Sequence, residues 1–433
     1  GAGAGAGAGV GMPAPLRVVV LATQDEFDET SLLDVGMVSN TGNGRRYAAQ
    51  ALLRSLMNSD GMELVAVLLY DWKNVEGGSQ AGTQRGGGVV GSAGEEQAAS
   101  RWPVPVEGPE CVSVSIRGGR PVVAWRGTST QLLGAASGDL RADVAISIQA
   151  RRPSVELMRL AVEAKRYVVM GHDYNLPFGP WGMEVDAPSL AEHRRLLEDP
   201  LVTMFCTSRH LTDYVTRFSE GRVSTELCYC ADYGYFDEQL GVDHEQFADG
   251  QCVTFISPCP AKGLPIVLRL ALMMSDVKFL CVSTGWTKTL HEVQLRALPN
   301  IEVVPGSDDV DSLYRRSAVL LMPSIWAESF GLVAVEAQLR GIPVVSTDAC
   351  GLSEANFLTE LRVRDVPLVH DSRTREILRG VTLEAAERTL DPLRLGHAGA
   401  GEEVQRRRVE LAHTLIASEG EAQGFAAQLR RLL

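Results

Sequence analysis

The sequence predicts an α/β protein built from two facing Rossmann-like domains. Three observations carry that expectation. Apolar strand-like runs alternate with helical segments in two successive series, the pattern of a parallel sheet with crossover helices. An acidic stretch over residues 232–250 separates the two series and reads as a linker. At 433 residues the chain exceeds the size at which a single hydrophobic core keeps growing.

The elements follow in order. Residues 1–15 open with the repeat GAGAGAGAG, a low-complexity leader with neither the basic segment nor the apolar core of a secretion signal. Residues 17–22 read as the first buried strand, 45–58 as a helix and 63–70 as the next strand. Between 74 and 109 the composition shifts to Gly, Ser, Ala and Gln and periodicity disappears, which predicts a flexible surface insertion. Residues 111–125 alternate around a Gly-Gly turn and suggest a hairpin. Strands are expected at 144–148, 167–170 and 201–207, with helices at 154–165 and 208–218, completing a first domain over 16–245. The second, over 250–401, starts with a strand at 252–257 and continues with strands at 277–283, 301–304, 318–323 and 343–347. Residues 402–433 form a helical tail with a basic face at Arg406, Arg407 and Arg408. Such a face can touch an anionic membrane peripherally, although a solvated helix surface is the commoner reason for it.

Composition narrows the function classes. Apolar residues make up 45% and charged residues 22%, the balance of an ordinary globular enzyme. A formal net charge of −13 argues against nucleic acid as a partner, because phosphates demand basic surface. The eight cysteines lack paired metal-ligand spacing and several fall in apolar runs, so reduced core cysteines are expected. No apolar run reaches the ~18 residues needed to cross a bilayer, and a cytoplasmic location is expected.

Residues 322–354, MPSIWAESFGLVAVEAQLRGIPVVSTDACGLSE, are the most informative stretch. Glu328 and Glu336 lie on either side of an expected helix start. Ser329 is placed to cap that helix, Gly331 lets a ligand approach the backbone, and Gly341 with Pro343 closes it. The open amides of the first turn suit an anion such as a diphosphate. Two carboxylates beside an anion site make sense as acceptors for hydroxyl groups, and sugars carry hydroxyls.

Glu328, seven residues and Glu336, with Phe330-Gly331 between them, are followed by Gly341-Ile342-Pro343-Val344-Val345. This pattern resembles the donor-site signature of the retaining, nucleotide-sugar-dependent glycosyltransferases of family 4, which have the GT-B fold. Pro323-Ser324 ahead and Gly351-Leu352-Ser353-Glu354 behind extend the likeness. It covers the second half of the chain well and the first half loosely. The resemblance implies GT-B architecture, with an acceptor domain first, a nucleotide-sugar donor domain second and a ligand cleft between them.

The resemblance also implies roles for individual residues. Lys262, in ISPCPAKGLP, would neutralise the donor diphosphate. The family normally has an Arg five residues before this Lys, and here that position is Ser257. Either another base substitutes for the Arg, or activity is weaker or absent. Glu336 would accept from the ribose, and Glu328 would hold sugar hydroxyls, with Phe330, Gly331 and Leu332 alongside. His172 ends a strand of the first domain and would lie close to the transferred sugar, while Asp173 would orient the imidazole or bind acceptor. Gly42 and Gly44, in the turn before the first helix, would approach the donor phosphates and the acceptor. The nucleotide base would lie around residues 306–309. Asp308 and Asp309 look metal-like but are explained as helix cap and dipole partners, so no metal is assigned.

The implied reaction retains anomeric configuration, the leaving diphosphate taking the acceptor proton. The nucleotide-diphosphate sugar is the donor substrate and no cofactor is expected; the acceptor stays open among sugar, lipid and protein. Three other readings remain: a nucleotide-sugar epimerase, a phosphorylase, weakened by the lack of a pyridoxal-binding lysine context, and a non-catalytic nucleotide-sugar-binding protein that keeps the fold.

Overall fold

A computed structural model describes residues 15–23, 61–70, 110–114, 122–127, 131–133, 140–181, 187–229, 244–307 and 309–366, with isolated positions Leu56, Leu368, Thr389, Leu429 and Leu432. The expected helix at 45–58 (apart from Leu56), the insertion at 74–109, most of the linker, the glycines Gly42 and Gly44, and nearly all of the tail lie outside the described residues.

The first sheet is built around β1 (Leu16–Thr23). β1 pairs in parallel with β2 (Met62–Tyr70) on one side and with β5 (Arg141–Ser147) on the other. β6 (Glu163–Gly171), β7 (Val202–Cys206) and β8 (Ser224–Leu227) continue outward in parallel. The expected hairpin is present as β3 (Glu110–Val114) and β4 (Val122–Gly127); β4 runs parallel to β2 and β3 closes the edge antiparallel to β4. The order is therefore β3-β4-β2-β1-β5-β6-β7-β8. Strand periodicity explains why β1 is apolar from Val18 to Ala22: Val19 and Leu21 enter the core on one face, Val18 and Val20 the core on the other. Leu429 is buried in that second core and Leu432 O accepts from Arg166 Nε at 2.8 Å, so these tail positions pack against the first domain.

The helices α1 (Arg152–Ala161), α2 (Ala187–Leu197) and α3 (Arg209–Phe218) flank this sheet. The expected helix over 154–165 is too long by four residues. α1 stops at Ala161, and β6 has begun by Glu163, which pairs with Arg141 across the sheet. The first half of β6 is half-exposed and carries Glu163, Lys165 and Arg166, so its sequence lacks the apolar mark of a buried strand. Ser208 caps α3 by accepting from Leu211 N at 3.0 Å.

The second sheet has the order β11-β10-β9-β12-β13-β14, all neighbours parallel. Its strands are β9 (Cys252–Ile256), β10 (Lys278–Ser283), β11 (Ile301–Pro305), β12 (Ser317–Met322), β13 (Val344–Thr347) and β14 (Arg362–Val363). Its helices are α4 (Leu264–Met273), α5 (Thr289–Arg296), α6 (Val310–Tyr314), α7 (Leu332–Leu339) and α8 (Leu352–Ala355). The two-domain α/β architecture is as expected. Cys206, Cys228, Cys252, Cys259, Cys281 and Cys350 are free thiols, and all but Cys228 are buried. No described helix is long and apolar enough to cross a membrane.

Strand order locates the binding crevice. In the second sheet the chain moves outward from β9 through β10 and β11, then returns to β12 on the other side of β9. The topological switch therefore lies between β9 and β12, where open α/β sheets bind ligands outside the carboxyl ends of their strands. The loops leaving those two strands carry Ser257 to Lys262 and Pro323 to Glu328.

Candidate functional site at the β9/β12 switch point

The two loops are locked to each other by backbone. Ile325 N donates to Ala261 O at 3.1 Å. Gly263, which starts α4 at φ 89°, lies so close that a Cβ there would stand 2.1 Å from Pro323 O. A glycine is required on both counts, conformation and space. Lys262 ends the single turn Pro260–Lys262 just before it, and its Nζ pairs with Glu328 Oε1. That same carboxylate oxygen accepts from Ser324 Oγ at 2.8 Å, and the Glu328 side chain is only 12% exposed. Lys262 and Glu328, expected in one site from the resemblance, do meet.

The Glu328 loop is held from a second side. Gly351 N donates to Glu328 O at 2.9 Å, and a Cβ on Gly351 would lie 2.0 Å from Ser329 O. Thr347 Oγ1 donates to Ser324 O at 2.8 Å. The loop is thus clamped between the ends of β12 and β13.

Ser329 does not cap α7. The helix starts at Leu332 behind Gly331, whose φ of 110° forms the entry, and no side chain bonds the first-turn amides. Ser329 is instead drawn against Gly351 by the loop packing. Phe330 is buried beneath Tyr229, ring centroids 5.3 Å apart, and anchors the loop by its side chain. Gly341, at φ 77°, follows the helix end as expected.

Glu336 is the fifth residue of α7, roughly 6 Å along the axis from Leu332. It is buried, and its Oε2 accepts from Tyr314 Oη at 3.2 Å. Burial pushes its carboxyl above the ordinary glutamate range, opposed by the Arg340 charge and the Tyr314 hydrogen bond. A raised folded-state value means that stability is fully present below the ordinary glutamate value and declines as pH rises through the folded one. Glu336→Gln keeps an acceptor for Tyr314 and removes that ionisation. It is expected to raise the thermal midpoint near pH 8 and to leave it unchanged near pH 4, measured side by side with the parent.

Arg340 escaped the sequence reading. It is 1% exposed, pairs through Nε with Asp311 Oδ1 at 2.7 Å, donates from Nη1 to Glu336 O at 3.0 Å, and lies 4.8 Å over the Tyr314 ring. Tyr314 was also missed, and Ser324 entered only as part of the pattern, without a role. The spacing of Arg340 four residues after Glu336 was the available signal.

The other expected residues fall around this centre. Ser257 follows β9 at φ 61°, and its Oγ accepts from Thr284 Oγ1 at 2.9 Å. Asp309 is the N-cap of α6, accepting from Ser312 N at 3.1 Å, which bears out its structural explanation; Asp308 is outside the described residues. Among the described residues no group of three His, Cys, Asp or Glu side chains could hold a metal. His172 directly follows β6, and Asp173 Oδ1 accepts from Asn175 N at 2.9 Å instead of reaching outward through that atom. Two residues on, Tyr174 packs in a core cluster that also takes in Ala327 and Cys350 of the second domain. The His172 segment therefore meets the second domain next to Glu328.

Comparison with known proteins finds one family model and several partial relatives. Residues 260–358 match the family model described as Glycosyl transferases group 1. The chain is 35% identical over 103 residues to a D-inositol 3-phosphate glycosyltransferase of Streptomyces scabiei, covering 22% of this chain and 20% of that one. It is 31% identical over 118 residues to the enzyme of the same description from Mycobacterium tuberculosis, covering 25% and 24%. An uncharacterized 41.2 kDa protein in the cps region of Klebsiella pneumoniae is 52% identical over 46 residues, 11% of this chain and 13% of that one. The chain thus spans a quarter or less of the curated relatives it matches. Among solved structures, Anabaena HepE in complex with UDP and glucose aligns over 93% of this chain and 100% of its own, with TM-score 0.49 and 14% identity. The ion pair of Lys262 with Glu328 and the buried Glu336 all lie inside the segment of glycosyl transferases group 1 type.

Proposed function

We propose that this protein is a retaining glycosyltransferase of family 4 that moves a sugar from a nucleoside-diphosphate sugar to an acceptor hydroxyl. The observation that carries the reading is the meeting of Lys262 and Glu328 at the β9/β12 switch point, beside a helix start with no side-chain cap. An ammonium and open amides together suit a diphosphate, and a carboxylate next to them suits sugar hydroxyls. Glu336, behind them on α7, is the acceptor for a ribose hydroxyl. His172 approaches from the first domain toward the transferred sugar.

In this reaction the bond from the anomeric carbon to the terminal phosphate oxygen breaks, and a bond from that carbon to the acceptor oxygen forms on the same face. The acceptor proton passes to the departing phosphate. Lys262 and the α7 amides stabilise charge that grows on the leaving diphosphate, and the two domains hold the acceptor oxygen on the face of the sugar from which the diphosphate departs. The reading needs no metal or cofactor, places the enzyme in the cytoplasm and leaves the acceptor open among sugar, lipid and protein.

A panel of nucleotide sugars tests it. One member is expected to raise the thermal midpoint and, with suitable acceptors, to release nucleoside diphosphate. Stabilisation without release would favour a non-catalytic binding protein. Ser257 motivates that second reading, because an uncharged hydroxyl, which accepts from Thr284, stands where the family carries an arginine. Absence of stabilisation by any member would sink both.

A further inference from the structure

A carboxylate of the second domain caps a helix of the first. Glu354, on α8, accepts from Arg209 N at 2.9 Å and from His210 N at 2.8 Å, the first two amides of α3. Ser208 meanwhile takes Leu211 N, so three orphan amides of this helix start are satisfied, two of them from across the domain boundary. A negative charge at a helix N-terminus is also favoured by the helix dipole. Tyr229 Oη donates to Glu354 Oε2 at 3.3 Å and accepts from Arg209 Nε at 3.3 Å. The contacts continue on the first-domain side, where Tyr174 Oη and His210 Nδ1 lie 2.7 Å apart. Tyr174 in turn meets the Cys350 thiol of the second domain, whose titration burial pushes up to about 11.

We infer that Glu354 is a positioning residue, a clasp that sets the first domain against the donor loop. Both ends of the clasp are tied to the candidate site. On one side Gly351, three residues before Glu354, holds Glu328 O, and Tyr229 covers Phe330 in the same loop. On the other side His210 holds Tyr174, two residues from His172. Loss of the carboxylate frees α3 and with it the segment that brings His172 toward Glu328. The effect on transfer rests on the proposed glycosyltransferase reading; the clasp itself does not.

The test uses the full chain with Glu354→Ala and Glu354→Gln. Hydrogen–deuterium exchange of the 209–212 peptide and small-angle scattering report the clasp without any substrate. Glu354→Ala is expected to accelerate exchange there and enlarge the radius of gyration, with Glu354→Gln intermediate because one carbonyl oxygen can still accept. Binding of whichever of UDP, GDP and ADP stabilises the parent is expected to stay within about twofold, while kcat for transfer falls about 10- to 100-fold through lost alignment. Unchanged exchange and scattering in Glu354→Ala would overturn the clasp. Parallel loss of nucleotide binding and kcat would also overturn it, by placing Glu354 in the donor site. If the parent binds none of the three nucleotides, the glycosyltransferase reading fails while exchange and scattering still decide the clasp.

Discussion

Lys262→Ala is expected to slow sugar transfer by about 100- to 1000-fold, the usual consequence of removing one donor from developing transition-state charge. The ammonium sits between two things that need it. One is Glu328, whose side chain is 12% exposed and keeps Ser324 as its side-chain partner among the described residues once the lysine is gone. The other is the departing diphosphate, where each charge-assisted contact contributes roughly 1.5 to 3 kcal/mol. Charge on the diphosphate grows as the glycosidic bond breaks, so the loss should fall mainly on kcat. Initial rates of nucleoside diphosphate release, set beside calorimetric binding of the same nucleotide, separate the two. Lys262→Arg keeps the charge but not the compact ammonium, and should recover part of the rate. A Lys262→Ala enzyme that transfers sugar at the parental rate would remove this residue from the site and leave the Glu328 pair as scaffold.

The sequence reading succeeded where local chemistry dictates structure. Gly341 is read correctly as the close of a helix, because the left-handed conformation needed there suits glycine. Strands buried on both faces, such as β1 and β12, announce themselves as apolar runs. The failures have a common cause in long-range contact. β6 begins inside an apparent helix because pairing with β5, not the composition of Glu163 to Arg166, decides the conformation. Ser329 looks like a cap by type and position, yet Gly351, more than twenty residues later, takes the loop elsewhere. Glu354 was seen only as part of a motif, since its partners at Arg209 and His210 lie 145 and 144 residues away. Chemistry carried within one loop was legible; chemistry completed across the domain boundary was not.

Arg340→Ala is expected to give the largest loss of stability, about 3 to 5 kcal/mol, because it removes a buried cation from the buried Glu336 and from Asp311, which is 28% exposed. With a 1% exposed guanidinium gone, Asp311 loses its 2.7 Å contact, Glu336 O loses a donor, and the Tyr314 ring loses the cation stacked over it. The buried Glu336 carboxylate also loses the positive charge that counters its burial, so its proton affinity should rise further. The effect therefore compounds with pH: the variant should deviate most from the parent above the ordinary glutamate range and less in acid, where Glu336 is protonated in both states. Scanning calorimetry across that range checks the sign, with a drop in the thermal midpoint of roughly 6 °C or more at neutral pH. Arg340→Met distinguishes the mechanisms. If packing alone mattered, its apolar bulk would restore most of the stability. If the cation is what holds Glu336 and Asp311 together on neighbouring helices, Met should restore little, and Arg340→Met combined with Glu336→Gln should recover stability beyond the sum of the two single changes.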